Sequence, residues 1–172
     1  MNALGGGGHM GYDVSIVEHG QVEEAEALAA LMRRAYTVEA GLLGAEDFAP
    51  LRRTAQDVAS ATESVFYGVR GTDGAWVAAC EVEPEGAGVC IASLVVCPSM
   101  FRRGVASALL AAVLSRYVGQ EVVVSTGVDN APALSLYAKW GFEARERWQT
   151  PCGLDMVTLG RVCKISHRHA VR

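Results

Sequence analysis

Two short stretches of this sequence carry residue types and spacings that can do chemistry. The first is Leu94-Val95-Val96-Cys97-Pro98-Ser99-Met100-Phe101-Arg102-Arg103-Gly104-Val105-Ala106-Ser107. An apolar, β-branched run ends at Pro98, and a helical pattern opens at Val105. Backbone N–H groups in a first helical turn have no partners within the helix, and with the helix dipole they form an anion site. Gly104 allows a ligand to approach the main chain, and Ala106 and Ser107 are too small to block it. Arg102 and Arg103 add fixed charge and forked donors suited to phosphate. A diphosphate fits this combination; an ordinary surface loop with two solvated arginines fits it too. No Gly-Lys-Ser/Thr follows, so this is not a Walker loop, and the Gly-x-Gly-x-x-Gly dinucleotide pattern is absent.

The second stretch is Asn130-Ala131-Pro132-Ala133-Leu134-Ser135-Leu136-Tyr137-Ala138-Lys139-Trp140-Gly141-Phe142. Asn130 stands where a helix N-cap belongs, and Pro132 is tolerated in the first turn. Tyr137 lies two turns on, at a spacing that also suits simple core packing.

The elements that must position these residues can be read from periodicity. Residues 12–18 alternate and predict a strand. Residues 21–40 carry Val22, Ala25, Leu28, Ala29, Leu31, Met32 and Tyr36 at helical spacing, with acidic residues in the first turns, and Gly41 and Gly44 are expected to break the helix. Residues 50–61 predict a second, shorter helix. Strands are expected over 64–70, 75–83 and 88–97. The turn sequences Gly71-Thr72-Asp73-Gly74 and Pro84-Glu85-Gly86 join them into an antiparallel meander. A helix over 105–118, a strand over 121–125, a helix over 131–140 and strands over 142–150 and 154–162 follow. The fold class is α+β: one mixed, mostly antiparallel central sheet flanked by helices in three α/β/α layers.

A chain of 172 residues is sized for one domain. Residues 11–164 are read as that domain, 1–10 as a disordered or tag-derived start, and 165–172 as a polar tail. A formal net charge of −4 fits poorly with a nucleic-acid partner. Five widely spaced cysteines form no Cys-x-x-Cys pair, which argues against a zinc site or a disulfide framework and points to a reducing, cytoplasmic setting. No apolar run reaches the length of a membrane span.

Residues 94–142 resemble the core of the GNAT superfamily of N-acetyltransferases, and the element order extends that resemblance over roughly 12–162. The family's Gln/Arg-x-x-Gly-x-Gly/Ala loop is matched by Phe101-Arg102-Arg103-Gly104-Val105-Ala106, with Phe101 departing at the first position. Its Asn-x-x-Ala-x-x-Leu-Tyr-x-x-x-Gly-Phe pattern is matched by Asn130, Ala133, Leu136, Tyr137, Gly141 and Phe142. The resemblance implies acetyl-CoA as co-substrate, no metal, and an amine acceptor. It also implies that the central strand and the 121–125 strand splay, with the pantetheine arm against Leu94, Val95 and Val96. The CoA contacts expected from it are those three residues with Arg102, Arg103, Gly104, Val105, Ala106, Ser107, Asn130, Ala133 and Tyr137. It gives the Leu94 N–H to the thioester oxygen and Tyr137 to the leaving thiolate. Cys90 occupies the position where many relatives place a glutamate base; Glu81 and Glu83 on the preceding strand are next in reach, Glu81 is the candidate chosen, and an acceptor of low pKa needs no base at all. The first two helices and the last two strands are expected to bind the acceptor, and the last strands to support a homodimer if one forms. A catalytically weak acyl-CoA-sensing module and a nucleotide-binding protein of another class are the competing readings.

Overall fold

The computed structural model describes residues 11–162, so the expected N-terminal segment 1–10 and tail 165–172 lie outside it. Seven strands form one sheet: β1 (Val14–Val17), β2 (Val65–Arg70), β3 (Trp76–Glu85), β4 (Gly88–Val96), β5 (Glu121–Gly127), β6 (Glu143–Gln149) and β7 (Asp155–Val162). Their order is β1-β2-β3-β4-β5-β7-β6, and every neighbouring pair is antiparallel except β4 and β5. The helices are α1 (Val22–Leu43), α2 (Ala55–Ala59), α3 (Val105–Arg116) and α4 (Ala131–Lys139).

Alternation along the strands divides the core into two layers. Phe66, Trp76, Ala79 and Val95 pack with Leu28, Leu31 and Met32 of α1. Tyr67, Ala78, Cys80, Val82 and Ile91 pack on the other face with Leu109, Leu110 and Val113 of α3, and with Tyr137 of α4. The expected three layers are therefore present. Strand β6 is exposed along its whole length at the sheet edge, where its alternating Glu and Arg residues discourage pairing with another edge.

Three expectations need correction. Helix α1 runs through Gly41 to Leu43, and of the two expected breakers it is Gly44 that ends it, in the left-handed conformation. The roughly 1 kcal/mol that a mid-helix glycine costs is offset by the last turn, where Leu43 packs against Gly127. The second helix is shorter than 50–61: a 3₁₀ turn (Ala49–Arg52) precedes a five-residue α2, which is held by a capping box between Thr54 and Asp57. Pro84 and Glu85 belong to β3, opposite Val89 and Gly88, so the turn is Gly86-Ala87.

The parallel seam between β4 and β5 is short, running only from Val89↔Val122 to Ile91↔Val124. At its base a methyl on Gly88 would collide with the backbone carbonyl of Glu121. Gly88→Ala is expected to force the strands apart and destabilise the fold by about 1–3 kcal/mol, the usual range for overpacking. Urea unfolding measures this, and a change under ~0.5 kcal/mol would show that the seam yields freely.

Candidate active site

Beyond Ile91 and Val124 the central strands part. The cause is a β-bulge. Against β3, Val82 faces Ile91 but Glu81 faces Ser93, so Ala92 is an extra residue in β4. It reverses the strand's faces: Val89 and Ile91 point into the α3 layer, whereas Ser93 is buried opposite Glu81 and Val95 packs in the α1 layer. Past the bulge β4 has no β5 partner, and β5 pairs on with β7 alone. The gap is a narrow cavity of about 70 Å³. Leu94 and Ser93 line one wall, Thr126 the other, and Tyr137, Asn130 and Glu39 close its end.

The loop before α3 is built for an anion. Arg102 adopts φ 61° and Gly104 φ 75°. A non-glycine residue in that region is uncommon, and left-handed residues beside a helix start turn successive N–H groups to a common side. Among the described residues no backbone acceptor serves the N–H groups of residues 102–107; the first bond of the helix runs from Ala108 N–H to the Gly104 carbonyl, at 3.0 Å. Gly104 is the N-cap and supplies no side chain to fill that role. The Arg103 carbonyl accepts from the Tyr12 hydroxyl at 3.0 Å, which ties the loop to the start of β1. Arg102 and Arg103 are exposed and Phe101 is 45 % exposed, all free to meet a ligand. Val105 is buried under the loop, Ala106 and Ser107 are half-buried, and the Ser107 hydroxyl accepts from the Trp140 indole at 3.2 Å.

Asn130 caps α4 as expected, its side-chain oxygen accepting from Ala133 N–H at 3.2 Å. Its amide nitrogen donates to Glu39 of α1, also at 3.2 Å. Tyr137 is buried against Phe142, with ring centroids 5.3 Å apart. Burial pushes its hydroxyl well above the ordinary tyrosine pKa, and the neighbouring Cys80, Glu39 and Tyr36 act in the same direction. The group therefore stays protonated at neutral pH and keeps a proton to donate.

Glu81 lies on the α1 face, 2 % exposed, outside the set of residues that line the cavity. Arg53 holds its carboxylate with two nitrogens, one at 2.8 Å to Oε1 and one to Oε2. Ser64 donates at 2.9 Å and Ser93 at 3.3 Å. Burial alone would raise its pKa, but the guanidinium and the two hydroxyls outweigh burial and hold it below the usual carboxylate range. Cys90 is half-buried on β4, its thiol pushed up to about 12 mainly by burial. Among the described residues no group of His, Cys, Asp and Glu is arranged to hold a metal ion, and no helix is long and apolar enough to cross a membrane.

The bulge, the parted strands and the uncapped loop are joined by one decisive comparison. The profile of the Acetyltransferase (GNAT) family matches residues 25–142, from the first turn of α1 to Phe142, just short of β6. The chain belongs to the GNAT family. The UPF0157 protein YqkA of Bacillus subtilis is 29 % identical over 142 residues, which cover 82 % of this chain but 41 % of that protein, so this GNAT chain spans about two fifths of its curated relative. Among solved structures, the ribosomal-protein-S18-alanine N-acetyltransferase of Escherichia coli superposes with a TM-score of 0.69 at 16 % identity, over 94 % of this chain and 100 % of that one. The PaiA N-acetyltransferase of Thermoplasma acidophilum, solved in complex with coenzyme A, gives 0.65 at 14 % identity, over 87 % and 98 %. At those identities the likeness establishes the GNAT fold.

Of the residues singled out from sequence, the GNAT fold gathers Leu94, Asn130, Ala133 and Tyr137 around the cavity, and places residues 102–107 in one uncapped turn. Sequence reasoning missed Glu39, among the described residues the only carboxylate lining the cavity. A signal for it was present, since Glu39 interrupts the buried stripe of Met32, Tyr36 and Ala40 in the middle of an apolar helix face.

Proposed function

We propose that this chain transfers an acetyl group from acetyl-CoA to a primary amine by direct attack within a ternary complex. The observation that carries the reading is the parting of β4 and β5 at Ile91 and Val124, with the Tyr137 hydroxyl at the end of the gap and free N–H groups of residues 102–107 beyond it. These residues fit CoA. A strand edge without a partner offers main-chain donors and acceptors to the pantetheine amides, here along Leu94, Val95 and Val96, and the loop with Arg102 and Arg103 takes the pyrophosphate. Asn130 has an amide N–H to spare beside Ala133.

Each residue then has a step. The Leu94 N–H holds the thioester oxygen and stabilises the charge it gains under attack, a contribution of roughly 3 kcal/mol for a well-placed donor. The amine nitrogen bonds to the carbonyl carbon, the C–S bond breaks, and Tyr137 gives the departing sulfur its proton. Glu81 is engaged by Arg53, Ser64 and Ser93 and is not among the residues that line the cavity. We assign it to holding the bulge through Ser93, and Leu94 with it.

The test is thiol release from acetyl-CoA in the presence of a panel of alkylamines, arylamines and peptides with free N-termini. Release dependent on one class of amine is the expected result. Tight CoA binding without release on any amine would overturn acetyl transfer in favour of an acyl-CoA-sensing module. Stabilisation by ATP or NAD but not by CoA would overturn both.

A further inference from the structure

Among the described residues Glu39 is the only carboxylate lining the cavity, and a packing contact fixes it there. Leu43, one turn further along α1, packs its side chain against Gly127, where β5 has already left β4. That contact lays the end of α1 across the open strands and turns Glu39 toward Tyr137 and Asn130. Its carboxylate accepts one hydrogen bond, from the Asn130 amide, on Oε1. None of the ion pairs among the described residues involves it. The polar side chains lining the cavity with it are two tyrosines, Tyr36 of α1 and Tyr137 of α4, with Ser93 of β4 and the buried Thr126 of β5, whereas the Ser125 hydroxyl is engaged by Thr158. Arg53 and Glu81, the charges that act on Tyr36 along with Glu39, are paired with each other. A half-buried carboxylate with one partner and no counter-ion is in want of a cation.

We infer that Glu39 receives the ammonium group of the acceptor and takes its proton, which makes primary alkylammonium compounds the substrate class. This rests on the acetyl-transfer reading above. The proton account balances. The ammonium loses one N–H proton to the Glu39 carboxylate, which passes it to water. The freed lone pair forms the C–N bond, the C–S electron pair leaves on sulfur, and Tyr137 protonates that sulfur. The second N–H proton released as the amide forms restores the Tyr137 hydroxyl. Burial raises the Glu39 pKa above the ordinary carboxylate value, more than the Asn130 hydrogen bond lowers it, which brings its basicity closer to the working pH.

The test compares wild type with Glu39→Gln, which keeps the shape and the acceptor for Asn130. With acetyl-CoA and an alkylamine at neutral pH, the variant is expected to lose about 10²-fold in kcat/KM, within the usual range for a positioned base. The loss should narrow as the pH rises toward the amine's own pKa, near 10. An arylamine, already neutral at that pH, should lose less than ~3-fold, and the acetyl-CoA KM should hold. A second readout needs no turnover: in the CoA-bound protein, butylammonium should bind about tenfold more weakly to the variant, a difference of ~1.4 kcal/mol. Equal losses with both amines, or unchanged alkylamine kinetics and binding, would overturn the role of Glu39 and leave acetyl transfer standing. A wild type that releases no thiol with any amine would overturn acetyl transfer itself, and the proton-accepting role with it.

Discussion

Arg53→Ala is expected to lower the stability of the fold by about 3–5 kcal/mol, the cost of leaving one member of a buried ion pair without its partner. The direction of the asymmetry follows from exposure. The Arg53 side chain is 25 % exposed and Glu81 only 2 %, so a lone arginine could turn to water and a lone glutamate could not. Ser64 and Ser93 would remain as donors, but two hydroxyls do not replace a guanidinium. Glu81→Gln should therefore cost less than Arg53→Ala, because Arg53 can then seek solvent. The pH dependence separates this account from simple loss of packing. In the wild type the Glu81 pKa is depressed, so its contribution is fully present above the unfolded carboxylate value, about 4.3, and is lost as pH falls through its folded pKa. In Arg53→Ala the same carboxyl is buried without its charge partner, and protonation relieves it. The gap between the two proteins should narrow from pH 7 toward about pH 4. Urea unfolding at the two pH values measures both effects. A loss under ~1 kcal/mol at pH 7 would show that the pair contributes little.

That pair also shows what a linear sequence hides. The two residues lie 28 positions apart, one in a short connection with no periodic pattern and one in a strand, and neither is unusual in its neighbourhood. Their meeting depends on α2 and the 3₁₀ turn folding over the α1 face. The loop at 101–106 was legible for the opposite reason. Its function uses backbone groups of consecutive residues, so composition and spacing suffice to reveal it. Asn130 and Tyr137 were legible because both sit on one short helix, where two turns fix their relation. The bulge at Ala92 is an intermediate case. It needs no special residue, but the apolar residues of β4 on the α3 face shift from Val89 and Ile91 to Leu94 and Val96, and that change of phase encodes the switch of faces. Helix α1 outran its apparent stop at Gly41 because tertiary packing of Leu43 outweighs a glycine's propensity. Glu39 lies within the helix that periodicity already predicts, and the Leu43 contact with Gly127 fixes that end of α1 against β5.

Tyr137→Phe is expected to reduce kcat by about 10²–10⁴-fold while leaving CoA affinity within a few-fold, the range for loss of a positioned proton donor. The substitution is conservative where it touches the core: the ring keeps its edge contact with Phe142 and its place in the α3 layer. Only the hydroxyl at the cavity goes. A buried phenol held above its ordinary pKa is a weaker acid than one in water, yet a thiol, near 8.5, is a stronger acid than phenol. Tyr137 therefore does not surrender its proton to a resting thiolate. It hydrogen-bonds the sulfur as charge builds, and the transfer is completed when the nascent amide returns a proton to the tyrosine. From this follows a leaving-group test. A thioester whose thiol is already a good leaving group needs little help, so an activated acetyl thioester of lower thiol pKa should lose much less on Tyr137→Phe than acetyl-CoA does. Glu39→Gln should show no such leaving-group dependence, since its proton comes from the amine. Stopped-flow or steady-state kinetics on the two thioesters decides the matter. Equal sensitivity to the mutation with both donors would take Tyr137 out of the proton path and leave it as the aromatic wall of the cavity.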